Sequence, residues 1–167
     1  MVDPDGLSYL KYNGETHLVA LYSKSGKKLG TFTAYNRVAL HHNGHVTSGP
    51  MTNGVHKIYG PDRHGAVNHL GNSSNGAYGK NGDIRVVPYK GIRGNMVSGG
   101  ALHAGRENKG GPKHPTLNCI RTTPKGMASI NSTAKNDPLT TLTVEHNDAN
   151  IKNWETKLQQ WNKRNHR

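Results

Sequence analysis

The chain contains one thiol. Cys119 lies in the run Pro115-Thr116-Leu117-Asn118-Cys119-Ile120-Arg121, sixteen residues beyond His103. A cysteine with a histidine partner performs nucleophilic acyl transfer, because the imidazole takes the thiol proton and later returns it to the leaving amine. A lone cysteine is otherwise a small buried hydrophobe. Three local features favour the chemistry. Pro115 and Asn118 do not suit a strand interior, so residues 115–118 are predicted to form a turn that presents Cys119 at the start of a strand or helix. Backbone N–H groups in such a turn can face a developing oxyanion. Arg121, two residues on, is close enough to favour a thiolate or to hold a substrate carboxylate. The intervening segment has several glycines and enough length to fold back and bring imidazole to sulfur. The pair is therefore expected within about 4 Å of each other in an open groove.

The elements that must hold this pair are read from a sparse apolar set. Leu, Ile, Val and Phe make up only 29 of 167 residues, and the net charge is +12. That composition lies on the disordered side of the usual boundary. The apolar residues nevertheless fall at strand spacing. His17–Ser23 predicts a strand covered on both sides, and after a Ser25-Gly26 turn Leu29–Tyr35 completes a hairpin. Further strands are predicted at Leu7–Tyr12, Val55–Tyr59, Asp83–Tyr89, Ala101–His103, Leu117–Thr122 and Leu139–Glu145. Five Asn-Gly pairs, at 13, 43, 53, 75 and 81, mark tight turns. Ile151, Trp154, Leu158 and Trp161 form one stripe of a C-terminal amphipathic helix, capped by Asp148 or Asn150 and ending in Lys163, Arg164 and Arg167. This helix is expected to clamp one face of the sheet. A single mainly β domain follows, and one cysteine excludes an intrachain disulfide or a Cys-rich zinc site. No apolar run approaches the length of a membrane span or a signal-peptide core.

Two other signals compete. His41-His42-Asn43-Gly44-His45, with His64 and His69 beyond, is the densest histidine cluster, but acids are few and only Asp62 lies near. Metal sites usually add a carboxylate, so no metal and no cofactor is expected. The basic charge suits a nuclease acting on RNA or DNA, although aromatic residues are too few for a stacking platform. It suits an anionic cell wall or an acidic protein partner equally well.

The stretch Ser98 to Thr123, SGGALHAGRENKGGPKHPTLNCIRTT, resembles the active-site segment of L,D-transpeptidases of the YkuD type. His17–Tyr35 is similar to that family's opening hairpin, and Gly49-Pro50-Met51-Thr52-Asn53-Gly54-Val55-His56-Lys57-Ile58 to its T-P-x-G-x-F/Y-x-I stretch. The resemblance covers about residues 8–125 and implies a YkuD-like β-sandwich or mixed sheet with a Cys-bearing loop. It implies Cys119 as nucleophile, His103 as base and the Ala104 carbonyl as the group that orients the imidazole. The N–H groups of Cys119 and Asn118 would form the oxyanion hole. Arg121 would contact substrate or brace the loop, and Gly105, His114 and Thr116 would complete the substrate-binding set. Leu117 stands where the family usually has a second histidine. Asn118 stands at the usual glycine, and Asn tolerates positive φ best among the other residues. These departures are similar to a divergent branch that includes type VI-secreted effectors.

At the N-terminus, Val2-Asp3-Pro4-Asp5-Gly6-Leu7 resembles the motif that closes the shell of Rhs-repeat proteins, beyond which a toxin domain lies. An ordinary Asp-Pro-Asp-Gly turn is the other reading. Together the resemblances imply a remnant of the Rhs boundary at 1–7 and one toxin domain at 8–167. They also imply delivery by the secretion apparatus to the periplasm of target bacteria, and an acidic immunity protein. The implied chemistry is attack on the amide that joins meso-diaminopimelate to D-Ala in a peptidoglycan tetrapeptide stem, with D-Ala released. The acyl group then passes to water, a D-amino acid or a second stem. The alternative is a basic, His-dependent nuclease toxin.

Overall fold

The structure, a computed structural model, describes residues 7–59, 78–107 and 110–165. The residues Val2 to Gly6 of the N-terminal motif, the group Asp62, His64 and His69, the Asn75-Gly76 pair and Arg167 lie outside them.

Eight strands close into a barrel, in the order β1 (Ser8–Asn13), β12 (Leu139–Glu145), β6 (Gly54–Tyr59), β7 (Asp83–Val86), β10 (Ala101–His103), β11 (Ile120–Thr122), β3 (Lys28–Tyr35) and β2 (Leu18–Tyr22). The expected mainly β mixed sheet is present, closed into a barrel where a sandwich would have kept two separate sheets. The reason is the parallel pairing of β1 with β12, Leu10 opposite Leu142 and Tyr12 opposite Val144, which removes both free edges. Only β1–β12 and β10–β11 are parallel; the other barrel pairings are antiparallel. Two small hairpins stand outside the barrel, β4 (His41–His42) with β5 (His45–Val46) and β8 (Tyr89–Lys90) with β9 (Met96–Val97). The first turns on Asn43 and Gly44, both at positive φ, as a two-residue hairpin loop requires.

Alternation explains how so few apolar residues suffice. Leu10, Tyr12, Val19, Leu21, Ile58, Ile84, Val86, Leu102, Ile120, Leu142 and Val144 all face one shared interior. β2 is buried on one face only, with Val19 and Leu21 inside and Leu18 39% exposed, so the two-sided cover expected for it is absent. The strand expected over Asp83–Tyr89 breaks at Val87-Pro88, where proline has no N–H for the ladder. The one expected at Leu117–Thr122 begins only at Ile120, because 117–118 is a bend.

Helix α1 (Pro124–Asn136) was not expected from periodicity. It has a readable start: the Thr123 hydroxyl accepts from Gly126 N–H at 3.0 Å and Pro124 opens the first turn. Its Met127, Ile130 and Ala134 join the barrel core. Helix α2 (Asp148–Asn165) carries the predicted stripe, but Trp154 alone of it is buried. The Trp154 indole N–H lies 3.2 Å from Thr47 Oγ1 and 3.4 Å from the Ala39 carbonyl, and Trp161 meets the His41 ring at 4.7 Å. The helix therefore packs its stripe on the 39–49 segment and touches the barrel through Asn150, whose carboxamide lies 3.5 Å from Tyr12 Oη and 3.4 Å from the Gly14 carbonyl. Neither predicted cap occupies the cap position. Asn147 precedes the helix and its carbonyl accepts from Ile151 N–H, while Asp148 accepts from Asn53.

Candidate active site

The two residues of the sequence pair lie on neighbouring segments at the outside of the barrel. On the parallel neighbours β10 and β11, Leu102 is opposite Ile120 and His103 opposite Arg121. Leu102 and Ile120 point into the core. Their neighbours Ala101, His103, Cys119 and Arg121 therefore share the outer face. From the other side β7 places Asp83 opposite His103 and Arg85 opposite Ala101, and Arg85 Nε is 3.0 Å from an Asp83 carboxylate oxygen. His103, Cys119 and Arg121 line one groove of about 830 Å³.

Burial dominates the electrostatics. Cys119 is 8% exposed, and Sγ makes a long contact of 3.9 Å to the Gly99 carbonyl. Among the described residues no hydrogen bond joins Sγ to an imidazole. Desolvation pushes the thiol up to about 12; the Ala101 N–H and Arg85 oppose this and the Asp83 carboxylate adds to it. Desolvation pushes His103 down to about 3, and the Arg121 and Arg85 guanidiniums push the same way. His103 Nδ1 is buried without a hydrogen-bond partner, and the ring stands edge-on to Tyr78 at 5.3 Å. At neutral pH the site holds a neutral thiol and a neutral imidazole. Arg121 is not among the charges that act on the thiol; Arg85 is.

Arg121 does something else. Its Nε donates to the Ala104 carbonyl at 2.7 Å and an Nη to the Arg106 carbonyl at 2.5 Å, which braces the 104–106 loop. The Ala104 carbonyl, expected to orient His103, is turned to Arg121 instead. Gly105, at φ +74°, gives the guanidinium room, since a Cβ there would lie 2.7 Å from Arg121 Nε. Thr116 braces the turn: its hydroxyl donates to the Cys119 carbonyl at 2.7 Å. His114 is exposed on the groove rim. Asn118 is absent from the positive-φ residues, so glycine mimicry does not explain it. Its carboxamide donates to Tyr89 Oη at 2.5 Å, and its carbonyl accepts from Asn36 Nδ2 at 2.9 Å.

Sequence reasoning missed the polar residues beneath the turn. Asn36 is fully buried, and its Nδ2 donates to the carbonyls of both Asn118 and Cys119. Its Oδ1 accepts from Met51 N–H and from Asn147 Nδ2. Nothing in the order of residues marks Asn36 or Asn147 among the many asparagines of a turn-rich chain; only the packing of 36, 51 and 147 onto the 118–119 turn does. The rim above carries His42, His45, His114 and Arg106, and no Asp or Glu is among its described lining residues. No cluster of three metal-ligating side chains occurs among the described residues.

No family model and no curated protein matches the sequence. Among solved structures the chain is similar to L,D-transpeptidase 1 of Mycobacterium tuberculosis, at 15% identity over 83% of this chain and 62% of that one, with a TM-score of 0.49. It is similar to Bd1075 of Bdellovibrio bacteriovorus at 10% identity over 98% of this chain and 60% of that one, with a TM-score of 0.56. The second likeness shows a shared fold. The chain spans less than two thirds of the length of either structure.

Proposed function

We propose that this chain is a cysteine-dependent acyl-transfer enzyme acting on peptidoglycan tetrapeptide stems. The observation that carries the reading is the placement of the one thiol, at the residue that leads into β11, beside the parallel strand β10 that carries a neutral imidazole, both lining one groove. The motif resemblance around Ser98–Thr123 supplies the substrate class. In this reading His103 accepts the Cys119 proton as sulfur attacks the carbonyl at the diaminopimelate–D-Ala junction. A thioester forms, the C–N bond breaks, and D-Ala leaves with the proton that His103 returns. Water, a D-amino acid or a second stem then resolves the thioester. Because burial keeps both groups neutral, the proton moves during attack and no resting ion pair is involved. Arg121 and Thr116 serve by holding the two loops that meet at the sulfur.

Delivery as an Rhs-type effector to the periplasm, and neutralisation by an acidic immunity protein, belong to the same proposal and rest on the N-terminal motif and the basic charge. Digestion of purified tetrapeptide muropeptides is expected to release D-Ala or its exchange products, and Cys119→Ala is expected to reduce this about a thousandfold or more. Undiminished release by the variant would remove the reading. A second reading, a His-dependent nuclease, is favoured by one observation, the acid-free rim of His42, His45, His114 and Arg106. RNA or DNA cleavage that survives Cys119→Ala but not His114→Ala would select it.

A further inference from the structure

We propose that Asn36 is a positioning residue for Cys119: its carboxamide fixes the two peptide planes around the nucleophile and so sets where their N–H groups point. The inference rests on the reading of Cys119 as nucleophile. Asn36 Nδ2 reaches the Asn118 carbonyl at 2.9 Å and the Cys119 carbonyl at 3.1 Å. A peptide N–H lies trans to the carbonyl of its own plane. Tying the Asn118 carbonyl down therefore turns the Cys119 N–H to the opposite side, and tying the Cys119 carbonyl does the same for Ile120. Among the described residues the Cys119 N–H is given to no backbone carbonyl, which leaves it available to a developing oxyanion.

The clip is itself held. Asn36 Oδ1 accepts from Met51 N–H at 2.8 Å and Asn147 Nδ2 at 2.9 Å, and Asn36 N–H donates to Tyr12 Oη at 2.9 Å. A flipped amide would set its oxygen against two carbonyls and its NH₂ against two donors, so the orientation is determined by the network. A buried network satisfied in this way is rigid. Tyr12 and Met51 are fully buried and fix Asn36 from the barrel side, while Asn147 ties it to the start of α2.

The test compares Asn36→Ala with Met127→Ala, which weakens the core through α1 without touching the turn. In Asn36→Ala, kcat for D-Ala release is expected to fall about a hundredfold with KM within about threefold, and iodoacetamide is expected to modify Cys119 about tenfold faster at neutral pH. Met127→Ala is expected to change neither below its melting temperature. A folded Asn36→Ala with wild-type kcat and alkylation, or with changes equal to those of Met127→Ala, would overturn the proposal. If the wild-type protein turns over no stem peptide, the functional reading fails on its own and the alkylation comparison alone decides this one. If Asn36→Ala does not fold, Asn36→Asp, which keeps the acceptor and loses the donor, takes its place. In the unaltered protein the Asn36 carboxamide protons are expected to exchange slowly with solvent by NMR, and rapid exchange would equally overturn the proposal.

Discussion

Cys119 and His103 are both neutral because the same desolvation acts on them in opposite directions, raising the acid and lowering the base. Each shift ties folding to pH. Between its ordinary 6.5 and about 3, His103 is unprotonated in the native state and protonated in the unfolded one. The unfolded chain then binds more protons, so stability falls as pH drops through that window. Between its ordinary 9.0 and about 12, Cys119 holds its proton in the native state and loses it in the unfolded one. Stability therefore falls again as pH rises through that second window. Thermal melts across pH are expected to show both arms, with His103→Gln weakening the acid one and Cys119→Ser delaying the onset of the alkaline one from about pH 9 to about pH 10. From there buried Tyr12 and half-buried Tyr89, also pushed up to about 12, sustain it. An alkaline arm unchanged in Cys119→Ser would place the buried thiol assignment in error. The sequence shows the identities of this pair, since one thiol and an upstream histidine are plain in it. Their ionisation is invisible there, because it depends on which face of β10 and β11 is covered.

The elements divide into those that build the barrel and those that build the groove wall. The hairpin of β2 and β3, strand β12 and helix α2 are legible because alternation and the 151–161 stripe are local signals. Barrel closure is not, because the β1–β12 pairing joins residues about 130 positions apart and leaves no local trace. Helix α1 is legible by its Thr123-Pro124 start and obscured by its Gly, Ser, Thr and Asn content, which weakens any periodic pattern. The turn at 115–118 is legible from Pro115 and Asn118, whereas the asparagine beneath it is not. Two truncations separate the roles. Met127→Ala removes a fully buried core side chain and is expected to lower global stability by about 2–5 kcal/mol with KM unchanged. Trp154→Ala frees Thr47 on the groove wall and is expected to raise KM while the barrel's far-UV spectrum persists. Chemical denaturation and steady-state kinetics on the two variants check this, and a KM rise in Met127→Ala alone would reverse the assignment.

At the scale of the molecule, a small closed barrel with few aliphatic residues is stabilised by sharing one interior among eight strands and α1. Its outer face is thereby left to carry polar chemistry, and the acid-free rim is suited to substrates that bear carboxylates. The net charge of +12 extends this preference to anionic polymers generally, so charge alone does not choose between a wall and a nucleic acid. Covalent chemistry at the sulfur does choose. Intact-mass spectrometry of the protein incubated with a tetrapeptide stem, followed by peptide mapping, reads it directly. The expected result is an adduct of the stem acyl group lacking D-Ala, confined to Cys119, lost in Cys119→Ala and matched by free D-Ala in solution. D-Ala released in full by Cys119→Ala, or an adduct on any other residue, would contradict the account.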